Sequence, residues 1–197
     1  VEAVVPLLAY KVAVREAMHQ FKYHNCIGIG EVLGSMIGNY IAHLPFVQNA
    51  LAEGIYIVPV PLHKRKERKR GYNQSFVICK AIEKTLLKEY GTNRDKHSAQ
   101  IESIPHLLKR EVFTHSQTNL NKLSRMNNIQ NAFGVNDKIA KGVFGKDSKS
   151  INIILTDDVL TTGATLQACA KAIYKYQKNR FPNKECRICI ATLAIAL

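Results

Sequence analysis

The stretch Ile153–Thr165 reads IILTDDVLTTGAT. An apolar run stops at two adjacent carboxylates, Asp157 and Asp158, and a turn follows that is almost entirely hydroxyl and backbone. If the run is a buried parallel strand ending at Thr156, both acids are delivered to the carboxyl edge of a sheet. The turn Thr161, Thr162, Gly163, Ala164, Thr165 then opens a helix. The first amides of a helix have no partner within it, and threonine hydroxyls add further donors, so the turn suits a phosphate. Gly163 lets the backbone come close to that phosphate. The acids suit something else, because phosphate repels them. Each ionised carboxylate accepts hydrogen bonds, and vicinal sugar hydroxyls supply them. Phosphate in the turn and a diol on the acids together describe a ribose 5-phosphate. Read alone, two aspartates at a strand end are more simply a solvated pair; the full thirteen residues decide against that reading.

The rest of the chain gives this strand its setting. Val4–Tyr10 reads as a strand. VREAMHQFKYH has apolar positions at helical spacing, Val14, Met18 and Phe21, and IGEVLGSMIGNYIAHL continues the same period in a second helix weakened by its glycines. GIYIVPVPL is a short β-branched run closed by Pro59 and Pro61. NQSFVICKAIEKTLLKEYG is an amphipathic helix that stops near Gly91. Residues 92 to 103 read as a loop, IPHLLKREVF as a strand, and KIAKGVFGKDSKS as a polar connection. INIILTDD, GATLQACAKAIYKYQ and ECRICIATLAIAL give strand, helix and strand. Strands apolar on both faces, alternating with helices, predict a Rossmann-like central parallel sheet flanked by helices. The expected division is a single domain over 1–197, with an N-terminal strand and helices in 1–50 and the binding core in 51–197.

Composition narrows the company this domain keeps. The 197 residues carry a net charge of +13, which favours polyanionic partners such as nucleic acid, phosphorylated small molecules or pyrophosphate. Five cysteines and no secretory leader pattern suggest free thiols in a cytoplasmic setting. No apolar run approaches the ~20 residues of a membrane span, so no insertion is expected. Cys186 and Cys189 have metal-ligand spacing. Residues three apart on a strand point to opposite faces, however, and read better as core thiols.

The second charged element is PVPLHKRKERKRGYNQ, from Pro59. It packs six cations, Lys64, Arg65, Lys66, Arg68, Lys69 and Arg70, against the single anion Glu67. It opens just after a strand end and so shares the carboxyl edge with Asp157 and Asp158. The Ile153–Thr165 stretch resembles the PRPP-binding signature of type I phosphoribosyltransferases (PRPP is phosphoribosyl pyrophosphate). The basic segment, preceded by FKYH, resembles the ComF family of competence proteins. So does a third block, Thr114, Gln117, Thr118, Leu120, Arg125, Asn128, Ala132 and Phe133. The pattern runs from Val4 to Ala194.

The resemblance implies a type I phosphoribosyltransferase fold with a small N-terminal hood segment and a flexible loop. It implies that Thr161–Thr165 hold the 5-phosphate of PRPP, and that Asp157 and Asp158 act catalytically on the ribose. Pro61, Leu62, His63, Arg65, Arg68 and Arg70 would form a pyrophosphate loop. Thr114, Gln117, Arg125 and Asn128 would belong to the loop that closes over PRPP. Magnesium would arrive bound through PRPP, with no direct protein ligand required and Asp157 and Asp158 as the candidates to touch it. The implied reaction passes a phosphoribosyl group to a nitrogen acceptor and releases pyrophosphate. Phe21, Lys22 and Tyr23 are candidates for holding the acceptor, although packing on their helix is the simpler role for them. The implied setting is DNA uptake, with competence proteins or single-stranded DNA as partners and room for a homodimer. Single-strand handling without catalysis, with Tyr72 or Tyr23 stacking bases, and nucleotide sensing are the alternatives on the same fold. Family members commonly carry a four-cysteine zinc module, which this sequence does not show, so zinc is not expected.

Overall fold

The computed structural model describes residues 1–9, 11–91, 100–110 and 132–196. The expected closing loop, with Thr114, Gln117, Arg125 and Asn128, lies outside the described residues.

Five strands form one sheet: β1 (Ala3–Ala9), β2 (Ile55–Pro59), β3 (Ile101–Ser103), β6 (Ser150–Leu160) and β7 (Glu185–Ile195). Their order is β1-β7-β6-β2-β3, and every pairing is parallel. A separate antiparallel pair joins β4 (Leu108–Arg110) to β5 (Phe133–Val135). The helices are α1 (Val12–Tyr23), α2 (Ile27–Ala42), α3 (Pro45–Ala50), α4 (Lys64–Arg70), α5 (Gln74–Tyr90), α6 (Asp137–Phe144) and α7 (Ala164–Arg180). The α/β fold with a central parallel sheet is the expected one.

The apolar runs of the inner strands are continuous because both of their faces are covered. In β2 all five residues are buried. Tyr56 and Val58 face one core, with Ile153 and Leu155 of β6, Ala140, Val143 and Phe144 of α6, and Leu166, Cys169 and Ile173 of α7. Ile55 and Ile57 face the other, with Met18 and Phe21 of α1, Ile37 and Ile41 of α2, and Ile78, Ile82 and Leu86 of α5. Cys186 packs against the first core and Cys189 lies in the second, so the strand separates the two thiols as its pleat requires. None of the five cysteines is in a disulfide.

The glycines of α2 do more than weaken it. Gly30, Gly34 and Gly38 recur every four residues on its buried side. A Cβ at these positions would lie 2.3 Å from the Phe21 ring, 2.7 Å from Ala81 Cβ and 2.7 Å from Thr85 Cβ, respectively. The missing side chains let α2 lie close against α5 and the end of α1.

Four expectations need revision. The basic run is a helix, α4, rather than a loop. Its Lys, Arg and Glu residues are good helix formers, and three cations in its last turn oppose the helix dipole. His63 caps its start by accepting from the Arg65 amide at 3.2 Å, and Gly71, at φ 82°, ends it. The polar connection after Val135 contains α6, capped by Asn136 and carrying Ala140, Val143 and Phe144 inward. The stretch read as loop to residue 103 ends in the short edge strand β3. Finally, β6 does not stop at Thr156 but runs on to Leu160, because β7 continues to pair with it through Leu160 and Ile195. Among the described residues no helix is long and apolar enough to cross a membrane.

Candidate functional site

The sheet order sets the site. From β2 the chain crosses by α5 to β3 on one side, and from β6 it crosses by α7 to β7 on the other. The two crossovers cover opposite faces, so the connections diverge between β2 and β6. Such a divergence, at the carboxyl ends of adjacent parallel strands, is where sheets of this kind form their binding crevice. Both motifs read from the sequence leave from these two strands: the basic helix follows β2, and the acids and the threonine turn end β6.

The acids are held from three directions. Asp157 Oδ1 accepts from Ser75 Oγ at 2.9 Å and from the Asp158 amide at 2.9 Å. Asp158 Oδ2 is paired with Lys22 Nζ at 2.8 Å. In the sheet register Asp157 stands opposite Thr192 of β7. Burial, and then the negative charge of Asp158, push the Asp157 carboxyl up to about 7, against the pull of its two donors and Lys22. Asp157 is therefore the acid that gains most from a ligand bringing further donors, since these favour its charged form.

Ser75 is the residue the sequence reading missed. It sits in the first turn of α5, two positions beyond the cap Asn73. The Asn73 side chain accepts from the Ser75 amide at 3.1 Å and donates to the Val60 carbonyl at 3.1 Å. Thr156 Oγ1 donates to the Ser75 carbonyl at 3.1 Å. These bonds fasten the start of α5 to the ends of β2 and β6 and aim Ser75 Oγ at Asp157. An Asn cap followed by a small hydroxyl residue was the available signal.

The threonine turn follows the end of β6, with Val159 and Leu160 between it and the acids. Gly163, at φ 72°, bends the chain into α7, and the Ala164 amide donates to Thr162 Oγ1 at 3.4 Å. Thr161 and Thr162 are exposed, while Gly163, Ala164 and Thr165 are half-buried. The helix they begin is 17 residues long, so its N-terminal field acts on this turn.

The basic helix presents no buried residue. Arg65 and Arg68 are exposed and His63 is half-buried, with Pro61 and Leu62 leading into them. Burial, then Arg110 and Arg70 and to a lesser degree Lys22, push the Lys66 ammonium below its ordinary value. Burial, then Arg110, Arg65, Lys66 and Lys64, do the same to the His63 ring. The like charges depress the Lys66 and His63 values, and an anion brought among them would act in the opposite sense. Arg70 is committed elsewhere: its Nη1 donates to Gln74 Oε1 at 2.8 Å, and its guanidinium lies 5.2 Å from the centre of the Tyr23 ring.

The three residues considered for an acceptor part company. Phe21 is fully buried, Lys22 holds Asp158, and Tyr23 is 53% exposed. Tyr72 packs 5.8 Å from the Phe21 ring and donates its hydroxyl to the Phe21 carbonyl.

Among the described residues no three His, Cys, Asp or Glu side chains converge as a metal centre requires. Of the acid pair, one oxygen of Asp157 has two donors and one oxygen of Asp158 has an ammonium. The described residues do not converge on a resident magnesium site.

The fold is α/β, with a central five-stranded parallel sheet flanked by helices, as in the Rossmann-like fold of type I phosphoribosyltransferases. No family model matches the chain. It is 29% identical over 119 residues to Competence protein F of Haemophilus influenzae, covering 60% of this chain and 44% of that one. It is 24% identical over 174 residues to DNA utilization protein YhgH of Escherichia coli, covering 88% and 66%. It is 25% identical over 169 residues to Competence protein ComFC of Bacillus subtilis, covering 86% and 57%. These similarities to proteins named for competence and DNA utilization agree with the resemblance of its motifs to the ComF family. Matches to these relatives cover between 44% and 66% of their length.

Proposed function

We propose that this chain binds PRPP in the crevice between β2 and β6 and transfers its phosphoribosyl group to a nitrogen acceptor. The observation that carries the proposal is the placement of the acid pair, the threonine turn and the basic helix at the ends of two adjacent central strands. In this reading Thr161–Thr165 take the 5-phosphate and Asp157 and Asp158 take the ribose hydroxyls. The acceptor nitrogen forms a bond to the anomeric carbon as the bond from that carbon to pyrophosphate oxygen breaks. The pyrophosphate leaves with the bonding electrons, and Arg65, Arg68 and Lys66 offset its charge. The acids beneath the sugar favour the positive charge that develops at the anomeric carbon. No side chain needs to form a covalent bond, so positioning carries the rest. Magnesium enters as part of the substrate, on the phosphate oxygens.

Calorimetry with PRPP and Mg²⁺ tests the binding step. The native chain should give one saturable site, and Asp157→Ala should weaken it at least about tenfold, the scale of losing hydrogen bonds to a charged acceptor. Equal affinity in the two proteins would overturn the assignment. Pyrophosphate release across a panel of amine and base acceptors tests the transfer step.

The names of the relatives support a cellular role in competence and DNA utilization. A second reading, single-strand handling, is favoured by the exposed cations of α4. It predicts binding to an oligodeoxynucleotide that PRPP does not displace.

A further inference from the structure

Lys22 reaches Asp158 from the last turn of α1, on an element that neither β2 nor β6 supplies. The pair is 2.8 Å apart, with 21% and 15% of the two side chains exposed. Three contacts fix that turn. Phe21 is buried against Gly30, where a Cβ would lie 2.3 Å from its ring. The Phe21 carbonyl accepts from the Tyr72 hydroxyl. The Tyr23 ring lies 5.2 Å from the Arg70 guanidinium. Lys22 is flanked on both sides by anchored neighbours, so its reach toward Asp158 is built into the packing.

We propose that Lys22 is the resident counter-cation of Asp158 and keeps a divalent ion from taking that carboxylate. The inference rests on the diol-binding reading of Asp157 and Asp158 and names what that pair can accept. An ammonium neutralises one negative charge through three directional donors and leaves the other carboxylate lone pairs open. A sugar diol needs those lone pairs as acceptors. A hard divalent ion would gather the same oxygens into its own shell at about 2.0–2.1 Å. With Lys22 in place, the pair meets a hydroxyl-bearing ligand rather than a metal, and magnesium stays on the phosphates. Lys22 is a positioning residue: it acts on the ligand through Asp158.

The test is a Mn²⁺ titration of the full chain, followed by electron paramagnetic resonance, without any phosphorylated compound. The native chain should show no Mn²⁺ site that depends on Asp158. Lys22→Gln should gain a stoichiometric site, Lys22→Gln combined with Asp158→Asn should lose it, and Lys22→Arg should behave as the native chain does. Lys22→Met, which keeps the apolar stem, serves if the glutamine variant does not fold. The inference falls if the native chain binds Mn²⁺ in a way that Asp158→Asn abolishes. It also falls if a folded Lys22 variant gains no site. The PRPP calorimetry separates the two proposals. PRPP binding without the Mn²⁺ gain overturns the role of Lys22 alone. A Mn²⁺ gain without PRPP binding overturns the PRPP reading and supports the counter-cation.

Discussion

At the scale of single residues, the acid pair is a compromise. Asp157 is buried beside another carboxylate and is stabilised by Ser75, the Asp158 amide and Lys22. Arg110 and Cys169 also lie within its field. Its carboxyl is raised to about 7 in the folded chain and returns to about 3.9 when the chain unfolds. Below the lower value both states are protonated. Between the two values the folded state holds a proton the unfolded state has lost, so stability declines as pH rises and levels off above about 7. Asp157→Asn keeps an acceptor for Ser75 and removes this titration. Its advantage over the native chain in urea midpoint should therefore grow from pH 5 to pH 8, and a constant difference would refute the account. The sequence made the two acids and their threonine turn visible, because both are contiguous. It could not show Ser75 or Lys22 at the acids, since these arrive from 82 and 136 positions away. Only tertiary packing brings them there.

At the scale of elements, the same residue type has opposite meanings on two helices. Gly34 and Gly38 form the seam between α2 and α5, whereas a Cβ at Gly142 of α6 would meet nothing within 4 Å. Gly34→Val should cost about 1–3 kcal/mol by overpacking. Gly142→Ala should gain about 0.5–1 kcal/mol from helix propensity. Urea denaturation of the two variants checks both signs. Periodicity located α2 but could not tell a weakened helix from a close-packed one, because the reason lies on α5. The basic run failed as a loop for a related cause. Its charge is conspicuous, and it hides seven consecutive residues with good helix propensity and a glycine stop. The segment that became α6 carried a usable spacing, Ala140, Val143 and Phe144, obscured by Lys138 before it and Lys141 within it.

At the scale of the whole molecule, the charge of +13 and the exposed cations of α4 make any polyanion a competitor for the crevice. Association with a labelled single-stranded oligonucleotide should weaken steeply with salt. Arg65→Glu with Arg68→Glu should lower both the affinity and the steepness of that dependence, as anisotropy at several salt concentrations would show; an unchanged slope would remove α4 from the interface. The alternation of strands and helices predicted the parallel sheet, but the order of its strands was not legible. That order has a temporal consequence. Among the described residues β1 has β7 as its only neighbour in the sheet, and Ala3 pairs with Cys189. Of these five strands, β1 is synthesised first and must therefore wait, unpaired, for β7, which is synthesised last. A nascent chain halted after α7 would present its acids beside an unfinished wall, so ligand capture should begin only once β7 has emerged and the sheet has closed over its own beginning.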